Sequence, residues 1–417
     1  MRTIVWLLLL AVVAVVAATA LGANDGLVTI YWLGWRTDVS FNFFVISLVL
    51  IFLAIYSTVR GLDALLGLPS RAKRWRLGQR DRVAQAALRE ALALYLAGRY
   101  TRAHKVAQRA ISIQAETPDL ELDAEFSALA HLLSAGSMHR LQDRTARDLH
   151  LGRALSLSRL TRRPRATEEG ARLMAAECAI DDRDAARALR DLSELGPGVA
   201  RRTQALRLKL QAAKLAHQPL EALKTARLLA KHQGFAVGAA EGLLRTLAIA
   251  TMDTARDASQ LRKLWQQLDA ADRRDPLVVA RGAMRMAVLG APQEARQWLA
   301  PVWDRLDSLP MEAIEAVAQA LSHCLPGLEG EWVPRLDKAN PLALRNPTVA
   351  LAVGLALAER QLWGKARSLL LSAANDLELD AHQRRRAWTR LAQLADHEHR
   401  EEEAARFYRL AALADAT

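Results

Sequence analysis

The imidazoles and thiols of this chain gather at two places where their spacing could do chemistry. His323-Cys324-Leu325-Pro326 sets both groups side by side at a helix end, and Asp396-His397-Glu398-His399-Arg400 carries two imidazoles two residues apart. Imidazole and thiolate are metal-ligating groups, which makes His323, Cys324, His397 and His399 the candidate ligands. Spacing weighs against both groups. Neighbouring residues on a helix point in different directions, and residues two apart face away from each other unless a turn intervenes. The plainer expectation is a thiol and an imidazole packed at a boundary between helical units, and a pair of solvated turn histidines. No resident metal or cofactor is expected.

Arginine supplies the other chemistry. Arg159, Arg162, Arg163 and Arg165, and the run from Arg384 to Arg386, read as solvated faces, with capture of an acidic partner segment as their functional alternative. A third cluster, Arg71, Lys73, Arg74, Trp75 and Arg76, continues to Arg80 and Arg82. Beside a membrane exit it suits lipid headgroups better than nucleic acid, since each Lys or Arg gains about 1 kcal/mol from an anionic leaflet. No nucleic-acid partner is expected. The phosphate-cradling glycine loop, H-E-x-x-H and G-x-S-x-G do not occur, and Cys178 and Cys324 form no C-x-x-C. No catalytic residue can be named. The chain reads as a non-enzyme whose two cysteines are reduced thiols in helix packing.

The elements that must position these groups are helices. From about Ala87 a pattern recurs at intervals in the mid-thirties, the mark of stacked helix-turn-helix units. Its clearest copy is the last, Trp388-x-x-Leu391-Ala392 on a first helix and Ala404-x-x-x-Tyr408-x-x-Ala411 on a second, which match the tetratricopeptide pattern with Ala for Gly and Tyr for Phe. Small residues sit where two antiparallel helices cross, and a large one fills the hole beside them. The preceding unit repeats this with Gly354 and Ala366, and Trp363 fills its turn. Near the start, Gly98, Tyr100 and Ala103 form the inter-helix turn and second helix of another copy. Weaker copies run over Leu206 to Leu229, Val279 to Val302 and Gly170 to Leu192, the last pivoting on Ala185 or Ala186. Spacing is irregular between Gly234 and Asp275. It is irregular again over 309–346, where Pro310, Pro326, Pro334, Pro341 and the adjoining Pro347 suggest a hinge between two sub-arrays.

Two uncharged apolar runs, 4–21 and 41–59, precede all of this. At about 1.5 Å per residue they reach about 27 and 28 Å, close to the hydrocarbon thickness of a bilayer. The stretch between them places Tyr31, Trp32 and Trp35 where an interfacial aromatic belt would lie. Ala18-Thr19-Ala20 has the small-x-small form of a cleavage site, but a span that survives at 41–59 leaves the orientation unchanged. The formal net charge of +12 lies beyond residue 59, because two arginines and two aspartates cancel before it. Residues 60–82 hold seven basic against two acidic side chains, so the positive-inside rule puts everything after them, and the N-terminus with Arg2, in the cytoplasm. With 24% charged residues, 5% aromatic residues and β-branched runs scarce after residue 60, the soluble part reads as all-α. The expected fold is two N-terminal transmembrane helices followed by a tetratricopeptide-like α-solenoid. Its parts are a membrane hairpin at 1–62, a basic neck at 63–82, a first helical array at 83–308, the irregular connection at 309–346 and terminal repeats at 347–417.

A double-spanning N-terminus, the run Leu68-Pro69-Ser70-Arg71-Ala72-Lys73-Arg74-Trp75 and the first repeat Ala93-Leu94-Tyr95-Leu96-Ala97-Gly98-Arg99-Tyr100 resemble the proteobacterial HemY family. This is the tetratricopeptide protein associated with haem biosynthesis, not the protoporphyrinogen oxidase of the same name, for which a G-x-G-x-x-G after a strand would be needed. The resemblance covers nearly the whole chain, with the arginine-rich middle as its main departure. It implies an inner-membrane protein in a late step of protohaem synthesis that binds haem-pathway enzymes or other partner proteins along its concave helical face. Its alternatives are haem or porphyrin transfer, with haem as the cofactor, His323, Cys324, His397 and His399 as its axial ligands and the clusters Arg159 to Arg165 and Arg384 to Arg386 as the groups that capture porphyrin propionates, or a general role in envelope assembly.

Overall fold

The computed structural model describes Val13 and residues 26–117, 123–160, 165–232 and 237–414. The first apolar run, apart from Val13, lies outside the described residues. So do Ala18-Thr19-Ala20, Arg162 and Arg163. By contact the chain divides into two compact units, 1–150 and 151–417.

The first unit opens with strands, which the all-α expectation did not contain. β1 (Leu27–Trp32) and β2 (Trp35–Ser40) pair antiparallel from Leu27 against Ser40 to Trp32 against Trp35. Leu33 and Gly34 close the turn, both with positive φ, the conformation that suits a two-residue hairpin. The stretch read as a simple connection is therefore a β-ribbon, and its β-branched and aromatic residues on either side of Leu33-Gly34 are the physical reason. Tyr31, Trp32 and Trp35 are all exposed at its tip.

Ser40 accepts a hydrogen bond from the Phe43 N–H and starts α1, a single helix from Phe41 to Leu96. Residues 63–82, expected as a separate neck, belong to it. Over Phe41–Leu62 the mean hydropathy is 2.3 and the protein buries none of the helix. The helix leaves the span without a break and meets α2 (Tyr100–Ala115), then α3 (Ala124–Arg140) and α4 (Arg144–Leu160), within which the first unit ends.

The second unit continues with α5 (Arg165–Asp181), α6 (Ala185–Ser193), α7 (Pro197–Ala200), α8 (Thr203–Leu215), α9 (Pro219–Lys231), α10 (Val237–Asp253) and α11 (Ala258–Gln267). It ends with α12 (Pro276–Val288), α13 (Pro292–Trp303), α14 (Met311–His323), α15 (Val333–Lys338), α16 (Asn340–Ala343), α17 (Pro347–Glu359), α18 (Trp363–Asn375), α19 (Ala381–His397) and α20 (Glu401–Leu413). The first helix of a pair packs on its own second helix and on the first helix of the next pair, as α10 does on α12, α12 on α14, α14 on α17 and α17 on α19.

One turn joins the helices of most pairs. At Gly98, Gln142, Arg183, His217, Gly290, Gln361 and His399 the backbone takes a positive φ. The N–H of that residue donates to the carbonyl three back, and the next N–H to the carbonyl five back of itself, as Arg99 does to Leu94 and Arg400 to Ala395. This satisfies the carbonyls that a helix end leaves open. Seven residues before the turn stand Ala91, Ala135, Ala176, Ala283, Gly354 and Ala392; five after it stand Ala103, Ala188, Ala222, Ala295, Ala366 and Ala404, all buried. In five of these pairs a small side chain at both crossings lets the two backbones close up, while Leu210 before His217 and Arg147 after Gln142 stand in place of one. The 170–192 pair therefore pivots on Ala188; Ala185 opens α6 and Ala186 is exposed.

Two further expectations change. Tyr408 does not fill the hole beside Trp388: it is 43% exposed, and its hydroxyl donates to Asp396 Oδ2 at 2.9 Å. Phe407 does so instead, buried and stacked on Trp388 with ring centroids 5.6 Å apart. Nor does 309–346 form an irregular connection. Val317, Leu321, Trp332, Leu336 and Ala343 join one core cluster that runs from Leu206 to Ala414. Pro310 caps α14, and Pro334, Pro341 and Pro347 stand in the first turns of α15, α16 and α17, where a missing N–H costs nothing.

Candidate functional site

His323 and Cys324 part company at the end of α14. The Cys324 side chain is fully buried with Sγ 3.8 Å from the Ala283 carbonyl, and burial pushes its thiol up to about 12 despite the nearby Arg296. His323 turns outward, its Nδ1 2.9 Å from the Gln319 carbonyl of its own helix. The pair offers no shared ligand position. His397 lies over Trp363 with ring centroids 5.7 Å apart, and His399 occupies the left-handed position of the α19–α20 turn. These four residues are accounted for by packing and turn geometry, and the structure does not unite them into a haem-iron site.

What holds the 324–329 loop is Arg296, on α13 and only 2% exposed. Its Nε and Nη2 donate to the two carboxylate oxygens of Glu329 at 2.9 and 2.8 Å, its Nη1 to the carbonyls of Cys324 and Pro326 at 2.6 and 2.9 Å, and Nη2 again to the carbonyl of Gly327 at 2.8 Å. All five guanidinium N–H groups find acceptors. The bonds from Arg296 hold the Glu329 carboxyl below its ordinary range.

The loop so fixed forms one rim of a groove. Leu325 and Leu355 of α17 floor it, and Arg385, Arg386 and Arg390 of α19 wall it opposite Glu359; the cavity measures about 310 Å³. Arg390 is held by Glu359 at 3.2 Å and by Gln393 at 3.1 Å. Arg386 has a different setting. Its Nη2 donates to the Ser322 carbonyl in the last turn of α14 at 2.8 Å, where the helix dipole favours a cation. Burial lowers its pKa, and among the described residues no carboxylate offsets that effect. A half-buried cation beside an open cavity is a place for an anion.

A second polar cluster, in the first unit, escaped the sequence because its members come from three helices. His131 Nδ1 of α3 lies 2.9 Å from His150 Nδ1 of α4, and Gln108 Nε2 of α2 lies 2.8 Å from His150 Nε2. The ring of His104 meets that of His150 edge-on at 5.4 Å. A bond between two Nδ1 atoms needs a proton on one and none on the other, so the pair cannot carry two imidazolium charges and keep it. Burial lowers the pKa of His104, partly countered by Asp143. Among the described residues no group of three or more His, Cys, Asp or Glu side chains is arranged to hold a metal ion. The signal in the sequence was a histidine on the buried face of each helix, legible only once the faces are known.

Arg71, Lys73, Arg74, Trp75 and Arg76 lie on α1, nine residues and more beyond the end of the apolar segment at Leu62, and Trp75 shows 66% of its surface. An apolar helix long enough to cross a membrane, which no protein surface covers, runs on through a basic stretch into stacked helix pairs, an arrangement that fits a membrane-anchored helical-array protein. Residues 26–141, the segment by which the chain is similar to the HemY family, match the family model described as HemY protein N-terminus. No curated protein matches it.

Proposed function

We propose that this protein is a non-enzymatic scaffold of the bacterial inner membrane, acting in a late step of protohaem biosynthesis by binding haem-pathway enzymes or other partner proteins on its helix pairs. We read those pairs as tetratricopeptide units. The observation that carries the proposal is α1: one uninterrupted helix serves as lipid-facing span over Phe41–Leu62 and as the first helix of the first pair up to Leu96. Such a joint suits a protein that presents a binding surface at the membrane. The family match on residues 26–141 supports the haem link. The lack of G-x-G-x-x-G after a strand sets the oxidase reading aside.

In this reading the protein crosses twice, by residues 4–21 and 41–59, with both termini cytoplasmic, and Arg71, Lys73, Arg74, Trp75 and Arg76 meet anionic headgroups. Affinity purification from detergent-solubilised membranes tests the proposal. Recovery of haem-pathway enzymes is the expected result, and recovery of none in repeated preparations would sink it. Haem or porphyrin transfer is a separate reading. It predicts a Soret shift on haem addition that substitution of His323, Cys324, His397 or His399 removes; the thiol buried at Cys324 and the outward turn of His323 favour an unshifted band.

A further inference from the structure

We infer that the groove between α17 and α19 binds the carboxylate groups of an acidic polypeptide segment of a partner protein, with Arg386 as its principal anchor. The inference rests on the scaffold reading and names the chemistry of the partner. Three arginines face one carboxylate in this groove, Arg385, Arg386 and Arg390 against Glu359, so its charge selects an anion. Arg390 is engaged by Glu359, whereas the Ser322 carbonyl is the acceptor that Arg386 reaches, leaving most of a five-donor guanidinium to take a carboxylate. Among the described residues no acid relieves the cost of burying Arg386. An incoming carboxylate would relieve it.

The remaining walls fit a peptide. Thr389 and Gln393 offer a hydroxyl and an amide to a backbone crossing the groove, and Leu325 and Leu355 offer a small apolar floor for one aliphatic side chain. A porphyrin needs a broad apolar slot and benefits from an axial ligand; the nearest thiol, Cys324, is buried away from the surface. The groove is also firmly built. Its rim is the loop clamped by Arg296, and its walls are helices of the continuous core.

Fluorescence anisotropy of the full-length protein in nanodiscs tests this, using a fluorescein-labelled peptide of alternating glutamate and leucine and its glutamine counterpart. Wild type should prefer the glutamate peptide, and Arg386→Gln should weaken it by about ten- to a hundred-fold, the range for a charge-assisted hydrogen bond. Glu359→Gln should tighten binding, a change that damage to the fold does not produce. Arg71→Gln with Arg74→Gln, far from the groove in sequence and on another helix, should change nothing beyond a general salt effect. Equal binding of the two peptides, or equal loss in the Arg386 and Arg71/Arg74 variants, would overturn the assignment. So would a haem Soret shift that Arg386→Gln abolishes, which would give the groove to porphyrin carboxylates. If the peptide fails while haem-pathway enzymes still co-purify, the groove assignment alone falls; if the peptide binds and no such enzyme co-purifies, the groove stands and the pathway reading falls.

Discussion

Arg296 sits almost wholly out of water, and its stability rests on having every N–H answered. Arg296→Met leaves Glu329 and three loop carbonyls without their donor and should cost about 3–5 kcal/mol in denaturant unfolding. Arg296→Lys keeps the charge but not the planar fork, and should recover only part of this. The pH profile follows from the same contact. Because Arg296 depresses the folded pKa of Glu329 below its ordinary 4.5, the contribution is complete above that value and is lost as pH falls through the folded one; the acid limb should flatten in Arg296→Met. His104, lowered from 6.5 by burial, has the same sign: its stabilising effect is present above 6.5 and fades on acidification through its folded value, so His104→Gln should blunt the loss of stability measured by thermal unfolding between neutral and mildly acidic pH. Little of this was legible beforehand. Arg296 is one arginine among many in the sequence, and only the fold reveals that a loop from the neighbouring pair closes around it. Arg147 is hidden in the same manner, since it stands, 2% exposed, where the other units carry a small residue.

At the scale of the element, the recurring turn decides what each position tolerates. Gly98 has φ +73° and open space where a Cβ would project, so Gly98→Ala should cost about 1 kcal/mol through the backbone alone. Gln361 adopts φ +60° without glycine's freedom, and Gln361→Gly should stabilise by up to about 1 kcal/mol. Gly354 answers to a different constraint. A Cβ there would lie 2.9 Å from Leu370 Cγ and 3.3 Å from the Leu370 backbone N, so Gly354→Ala must part α17 from α18 at about 1–3 kcal/mol. A melting series over these three variants reads all of the predictions. Gly354, Ala366 and Ala404 could be placed from the sequence because small residues at fixed spacing record close helix contact. Ala188 could not, because alanine is so common in that segment that several registers fit it. The β-ribbon was missed for want of context: its residues carry strand signals, but they lie between two apolar runs that drew the stretch into a membrane reading.

At the scale of the molecule, orientation is the testable consequence of the charge around α1. In the proposed topology a C-terminal fluorescent fusion gives a cytoplasmic signal, and replacing Arg71, Lys73, Arg74 and Arg76 with glutamate, which removes the positive flank of the Phe41–Leu62 segment, should make that signal non-uniform. Retention of that signal would show that other determinants set the topology. The apolar segment and its basic flank were plain in the sequence, because lipid and charge act on composition. That α1 continues into the first pair was not, since Pro69 and the run of arginines read as punctuation. The continuity has a mechanical meaning. From Leu62 to Ala84, the first of the described α1 residues to be buried against its neighbours, the helix rises about 33 Å at 1.5 Å per residue. In the proposed membrane arrangement that length makes α1 a stiff strut, which sets a fixed stand-off between the lipid and the first helix pair.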